Sequence, residues 1–388
     1  MPFQSVDKIQ KVLQENIFHY AKDSKKAAGR SLGTIVEIIT YYLLKTWGLN
    51  NNISIERKLE EYGNSDITHN VEYSLHPELL QTFITVDKSI KGIKSRTIIK
   101  ELEKRNYNLK EFEPVKNDLL SNEILRNACT IGVSETAFLL CSIKTDLGDK
   151  FELHVYEQSR KPYAMVECKR VGVEEGMSKG PQTIEKAKQG AYVARTTSSL
   201  QKLRTDTGEI YGIIYKSNNE YIVKPYVELM EEIIYSDDTT LLKKFILTVG
   251  VVSNHGNWFK RNSDGIVRYS NDIFEKELKV LAQSYDWLLF LTDEGLSEFV
   301  ENLLLNPKSE FDFIRETFQN SYSGVKGKNQ FTKVKMNIKA DELLLKYFQN
   351  NIDQVESWFK VISPAKTLAE LKSELQELSG KDWTKILQ

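Results

Sequence analysis

Residues 162–194 read "PYAMVECKRVGVEEGMSKGPQTIEKAKQGAYVA". The apolar run Ala164, Met165, Val166 closes on Glu167, Cys168 and Lys169, and a glycine-containing basic turn and a helical pattern follow. On a strand, residues two apart share a face, so Glu167 and Lys169 point together while Val166 and Cys168 pack behind them. Charges at the end of a buried strand are costly unless each has a partner. A hard divalent ion such as magnesium would partner the glutamate, because such ions take carboxylates and water. The lysine beside it can orient a water or hold charge developing on a phosphate.

A second carboxylate is needed, and the preceding residues offer two. In "IKTDLGDKFELHVYEQSRKPYAMVECKR" the runs "FELHVYEQ" and "YAMVECK" have strand composition, with "SRKP" between them. If "SRKP" closes a hairpin, the start of the first run faces the end of the second. Asp146 or Asp149 then meets Glu167 and Lys169. Asp146, which ends one strand-like run just before the next, is placed first, with Asp149 as the alternative.

Acid, hairpin, E-x-K and a following helix resemble the PD-(D/E)XK nuclease superfamily, and within it the type II restriction endonucleases, over about Gly29 to Ala194. Thr145 stands where the family signature has proline. "ISIERK" holds a second E-x-K, Glu56 and Lys58, without an acid-bearing hairpin before it. The resemblance implies a further glutamate on a helix before the sheet, for which Glu37 in "GRSLGTIVE" is the match; an ordinary solvated helical glutamate is the competing reading. Gln189 and Tyr192 in "QGAY" match a pair found after the E-x-K strand in some members. The catalytic set is then Asp146, Glu167, Lys169 and Glu37. Asp146, Glu167 and Glu37 would hold Mg2+, for which Mn2+ would substitute. The implied reaction is sequence-specific phosphodiester hydrolysis in double-stranded DNA, by a homodimer if the target is palindromic.

Around this segment the chain reads as α/β, with α+β possible: a mixed central β-sheet flanked by helices, a restriction-endonuclease-like core and a helix-rich C-terminal part. "GRSLGTIVEIITYYLLKTWGLN" is an amphipathic helix, with Ser31 as its cap and Gly48 as its end. "FILTVGVVS" and "WLLFLTD" are buried-strand candidates, and "EIYGIIYKS" and "EYIVKPY" a hairpin. A soft boundary near 225 separates residues 1–225, with the catalytic core, from 226–388, assigned to DNA recognition or dimerisation.

Lysines and arginines number 53 against 54 aspartates and glutamates, a formal charge of -1, so any nucleic-acid surface must be local. Lys179, Gln182, Lys186 and Gln189 follow the E-x-K strand and could hold phosphates, although a solvated helix face explains them equally. "FTKVKMNIK" alternates, presenting Lys333 and Lys335 on a polar face suited to a phosphate backbone or to guarding a sheet edge. Asn257, Lys260 and Arg261 in "SNHGNWFKRNSDG" have side chains that read base edges, though such loops are more often plain polar turns. Cys129, Cys141 and Cys168 lack zinc or disulfide spacing. No nucleotide-binding glycine pattern, signal peptide or membrane span is legible, which points to a cytoplasmic protein without a nucleotide cofactor. Two alternatives stand beside the restriction enzyme: a repair or recombination nuclease of the same fold, and a non-catalytic nucleic-acid-binding protein.

Overall fold

Apolar residues at helical spacing drive the helix Ser24–Thr46, whose Ile35, Ile38, Ile39, Tyr42 and Leu43 are all buried. Its cap is Asp23, which accepts from the Lys26 N–H at 3.0 Å. Ser31, expected as the cap, lies one turn and more inside and donates to the Ala28 carbonyl. The helix ends at Trp47 and Gly48, where φ is +84°. The computed structural model describes residues 6–61, 64–88, 92–171, 191, 198–215, 219–254, 259–261, 267–269, 279–322 and 329–388.

That helix packs on a mixed six-stranded sheet. Its strands lie in the order Ile53–Glu61, Asn64–Leu75, Ala164–Val171, Leu247–Asn254, Trp287–Leu291 and Phe359–Ser363. The second is antiparallel to the first and to the third, the third to fifth run parallel, and the last is antiparallel to its neighbour. The two parallel neighbours are the apolar runs "LTVGVV" and "WLLFL", buried on both faces as central parallel strands must be. The fold is thus mixed α and β, with helices against the sheet. One core joins Val6 and Leu32 to Trp287, Leu344 and Ile386. Residues on both sides of 225 therefore share a sheet and a core.

Between the second and third strands of this sheet, residues 76–163 form a separate layer. Glu78–Asp87, Lys150–Ser159, Ala137–Asp146, Cys129–Val133 and Glu113–Pro114 make an antiparallel five-stranded sheet, with the helix Ser95–Lys104 against it. Ile84, Ile98, Leu102, Leu139, Leu153 and Val155 give it a core of its own. A four-stranded sheet adjoins it, in the order Lys335–Asn337, Ile124–Arg126, Asp118–Ser121, Ile93–Lys94.

The expected "SRKP" hairpin is not formed. "FELHVYEQ" pairs with Ala137–Asp146 and Glu78–Asp87, whereas "YAMVECK" pairs with Asn64–Leu75 and Leu247–Asn254 in the other sheet. The alternating strand expected over "FTKVKMNIK" shrinks to Lys335–Asn337, because Asn337 caps a helix beginning at Ile338. The hairpin Ile210–Tyr215 with Tyr221–Pro225 is as expected. Among the described residues no helix is long and apolar enough to cross a membrane.

Candidate active site

Glu167 sits in the middle of the central sheet, 4% exposed. Its Oε1 meets the Lys169 ammonium at 2.6 Å, as the shared strand face requires. Its Oε2 accepts the backbone N–H of Glu72 at 2.9 Å. Burial raises the Glu167 carboxyl above its ordinary value, against the pull of Lys169. For Lys169, burial pulls down, but the charge and hydrogen bond of Glu167 outweigh it and hold the ammonium charged. Cys168, between them, packs on the opposite face near Thr40 of the long helix, and burial raises its thiol far out of the reactive range.

Glu72 belongs to the adjacent antiparallel strand, and its side chain touches the Lys333 ammonium. Lys333 also reaches Glu37 Oε2 at 3.1 Å and Glu56 Oε1 at 3.2 Å. One ammonium, its side chain 5% exposed, is thus ringed by carboxylates from the helix Ser24–Thr46 and from two neighbouring strands. Tyr73 ties these elements together by donating its hydroxyl to the Glu37 carbonyl at 2.7 Å. Glu56 adopts φ +54°, a left-handed conformation that costs a non-glycine residue about 1–2 kcal/mol. Strain of this kind persists where the surroundings over-determine it, and here the strained residue turns its carboxylate to Lys333.

Lys333 is held firmly. Asn127 donates its side-chain amide to the Lys333 carbonyl and its backbone N–H to the Val334 carbonyl, both at 2.9 Å. Phe331, fully buried, packs edge-on against Phe318. Four carboxylates, Glu37, Glu56, Glu72 and Glu167, therefore face two ammonium groups, Lys169 and Lys333. Among the described residues no group of three or more His, Cys, Asp or Glu side chains is placed to hold a metal ion.

Of the sequence candidates, Glu37, Glu167 and Lys169 belong to this region. Asp146 does not. It stands at the end of the middle strand of the other sheet, half-exposed and ion-paired with Lys88, and it accepts from the Gly148 N–H at 2.9 Å. The hydrogen bond from Lys88 holds its carboxyl below the usual range. Asp149 lies in the same exposed turn, its carbonyl taking the Lys88 N–H. The residue that meets Glu167 from the neighbouring strand is Glu72, through its backbone N–H, and its strand adjoins the E-x-K strand in space though not in sequence. Lys333, expected on a solvent face, is buried in the acidic ring, while Lys335 is exposed. Lys179, Gln182, Lys186, Gln189, Tyr192 and Asn257 lie outside the described residues. Lys260 and Arg261 fall on the short strand Phe259–Arg261, which pairs with Val267–Tyr269.

No family model, curated protein or solved structure matches this chain.

Proposed function

We propose that the chain is a magnesium-dependent endonuclease acting on double-stranded DNA at a defined sequence. The observation that carries the reading is that Glu72 and Glu167 lie on adjacent antiparallel strands, joined by the Glu72 N–H, with Lys169 against Glu167 and with Glu37 sharing Lys333 with Glu72. A glutamate on a helix before the sheet and E-x-K on a buried strand are what the resemblance to PD-(D/E)XK nucleases implies.

In kind the donors suit a hard divalent ion, being all carboxylate, and Glu37, Glu56 and Glu72 already surround a cation, the Lys333 ammonium. Four carboxylates against two ammonium groups leave two formal negative charges, which one such ion would balance. Glu72, Glu167 and Glu37 would hold it. Bound there, magnesium would supply a Lewis acid that lowers the pKa of water and offsets phosphate charge. Lys169, kept charged by Glu167, would orient the attacking water and face the developing negative charge. Glu167 positions that lysine through its 2.6 Å contact.

Purified protein is incubated with magnesium and phage DNA, and the fragment ends are sequenced. Discrete ends sharing one motif support the reading, and degradation from ends or at junctions points to a repair nuclease instead. No cleavage with magnesium or manganese sinks it. Lys333 gives a second reading its own support, because an ammonium that already satisfies Glu72 suits a structural ion-pair cluster in a non-catalytic DNA-binding protein. Calorimetric titration with magnesium separates the two: heat that vanishes in Glu72→Ala belongs to the nuclease.

A further inference from the structure

The inserted layer carries a groove of about 850 Å³ lined by Lys94, Arg96, Lys116, Arg126 and Lys335, with Asp118 as the acid among its lining. We infer that this groove is where the backbone of duplex DNA lies, and that it leads the strand to the Glu72–Glu167 site. The inference rests on the nuclease reading for the site it leads to, but the groove stands on observations of its own.

The chain as a whole is near neutral, at -1, so five cations around one cavity do not follow from composition. Among the described residues none of the five stands in an ion pair. Arg126 and Lys335 are direct cross-strand partners, an arrangement in which like charges repel. An anion lying across both would relieve it.

The floor is rigid. Asn122 and Glu123, with φ +47° and +64°, form the two-residue turn between Asp118–Ser121 and Ile124–Arg126, a left-handed pair that matches strand twist. Gly92, at φ +90°, has no room for a side chain: a Cβ there would stand 2.0 Å from the Leu120 carbonyl oxygen. The cations are therefore displayed on a fixed surface. From Ile93–Lys94 to Lys335–Asn337 the four strands span about 14 Å. Measured along the helix axis, the phosphates of one DNA strand recur every 3.4 Å or so, so the array reaches more than one successive phosphate.

A second cavity, of about 350 Å³, shares Asn117 and Arg126 with the groove and is also lined by Glu56 and Val334. Glu56 in turn contacts Lys333 in the acidic ring. Lys335 and Lys333 are two residues apart, at most about 7 Å of chain. Groove and site are thus contiguous.

The test is binding in EDTA, where no cleavage interferes. A labelled duplex of about 20 base pairs overruns the groove and serves as the probe, titrated by anisotropy at several salt concentrations. Arg126→Gln/Lys335→Gln is compared with Lys11→Gln/Lys346→Gln, which removes equal charge from exposed lysines elsewhere. The groove variant should bind roughly tenfold more weakly, with a slope of log affinity against log salt flatter by about 1.8, or about 0.9 per lost contact. The control should match wild type, and thermal unfolding should show both variants folded. Wild-type affinity and slope in the groove variant would overturn the proposal. So would tight, groove-dependent binding of a mononucleotide with no preference for the duplex. Groove-dependent duplex binding without magnesium-dependent cleavage would keep the groove and sink the nuclease. Cleavage with groove-independent affinity would do the reverse.

Discussion

Lys333→Met removes the charge at the centre of the acidic ring and keeps a stem of similar bulk. Three carboxylates then surround an apolar tip. Glu56 is 55% exposed and Glu37 26%, so water screens them, while Glu72, at 10%, is left with a buried charge and no cation. Breaking a buried ion pair costs about 3–5 kcal/mol. Because two of the three acids keep solvent, the lower end, about 3 kcal/mol, is expected. A divalent ion can replace the lost charge, and at a hundredfold excess over its Kd it contributes about 2.7 kcal/mol. In urea melts followed by tryptophan fluorescence, Lys333→Met should unfold early in EDTA and recover most of the loss in magnesium. Wild type should gain less, since its own ammonium competes. If Lys333→Met is as stable as wild type in EDTA, or if magnesium stabilises neither protein, the ring does not need a cation and the reasoning fails.

Three further outcomes are expected. Glu72→Ala should abolish magnesium-dependent DNA cleavage while Asp146→Asn leaves it intact, and a plasmid digest reads both; the opposite pattern would return the ligand to the other sheet. Gly250→Ala should destabilise the fold by about 1–3 kcal/mol through overpacking, because its Cβ would meet the buried Tyr285 ring at 2.6 Å beside the strand position of Glu167, as a denaturant melt would show. Burial, with Lys243 nearby, lowers the Lys161 ammonium to about 7. From there up to the ordinary lysine value the unfolded chain holds a proton that the folded chain does not, so stability should rise with pH across that window. Lys161→Met should flatten that rise, and melts at a series of pH values measure it.

The E-x-K strand was legible because its apolar run and its two charges obey the two-residue period of a strand. Its partner was not. Pairing "YAMVECK" with the run just before it is the shortest solution, but the neighbour in the sheet is "VEYSL", on the far side of residues 76–163. Glu72 had one signal: it sits among Val71, Tyr73 and Leu75, all fully buried, so its own charge required a partner. Glu56 belongs to the E-x-K that no acid-bearing hairpin precedes, and Lys58 is exposed, yet the left-handed backbone at Glu56 brings its carboxylate to the ring. Alternation placed Lys333 outward. It fails there because the regular strand begins only at Lys335, and the fixed backbone before it directs Lys333 inward.

Residues 76–163 leave and rejoin the central sheet at almost one point. Leu75 pairs with Ala164, the Tyr163 N–H meets the Leu75 carbonyl, and the Ser159 N–H meets the Pro77 carbonyl at 3.0 Å. A floppy connection of that length would be about 2–3 kcal/mol harder to close than a four-residue turn. Here a folded unit with adjoining ends does the closing, and the strands of the central sheet feel it as little more than a hairpin. Such a unit is graftable. A relative could lengthen or recharge its far side without shifting the strands of Glu72 and Glu167, provided that Asn127 and Ile124–Arg126, which hold Lys333 and Lys335–Asn337 in place, are kept.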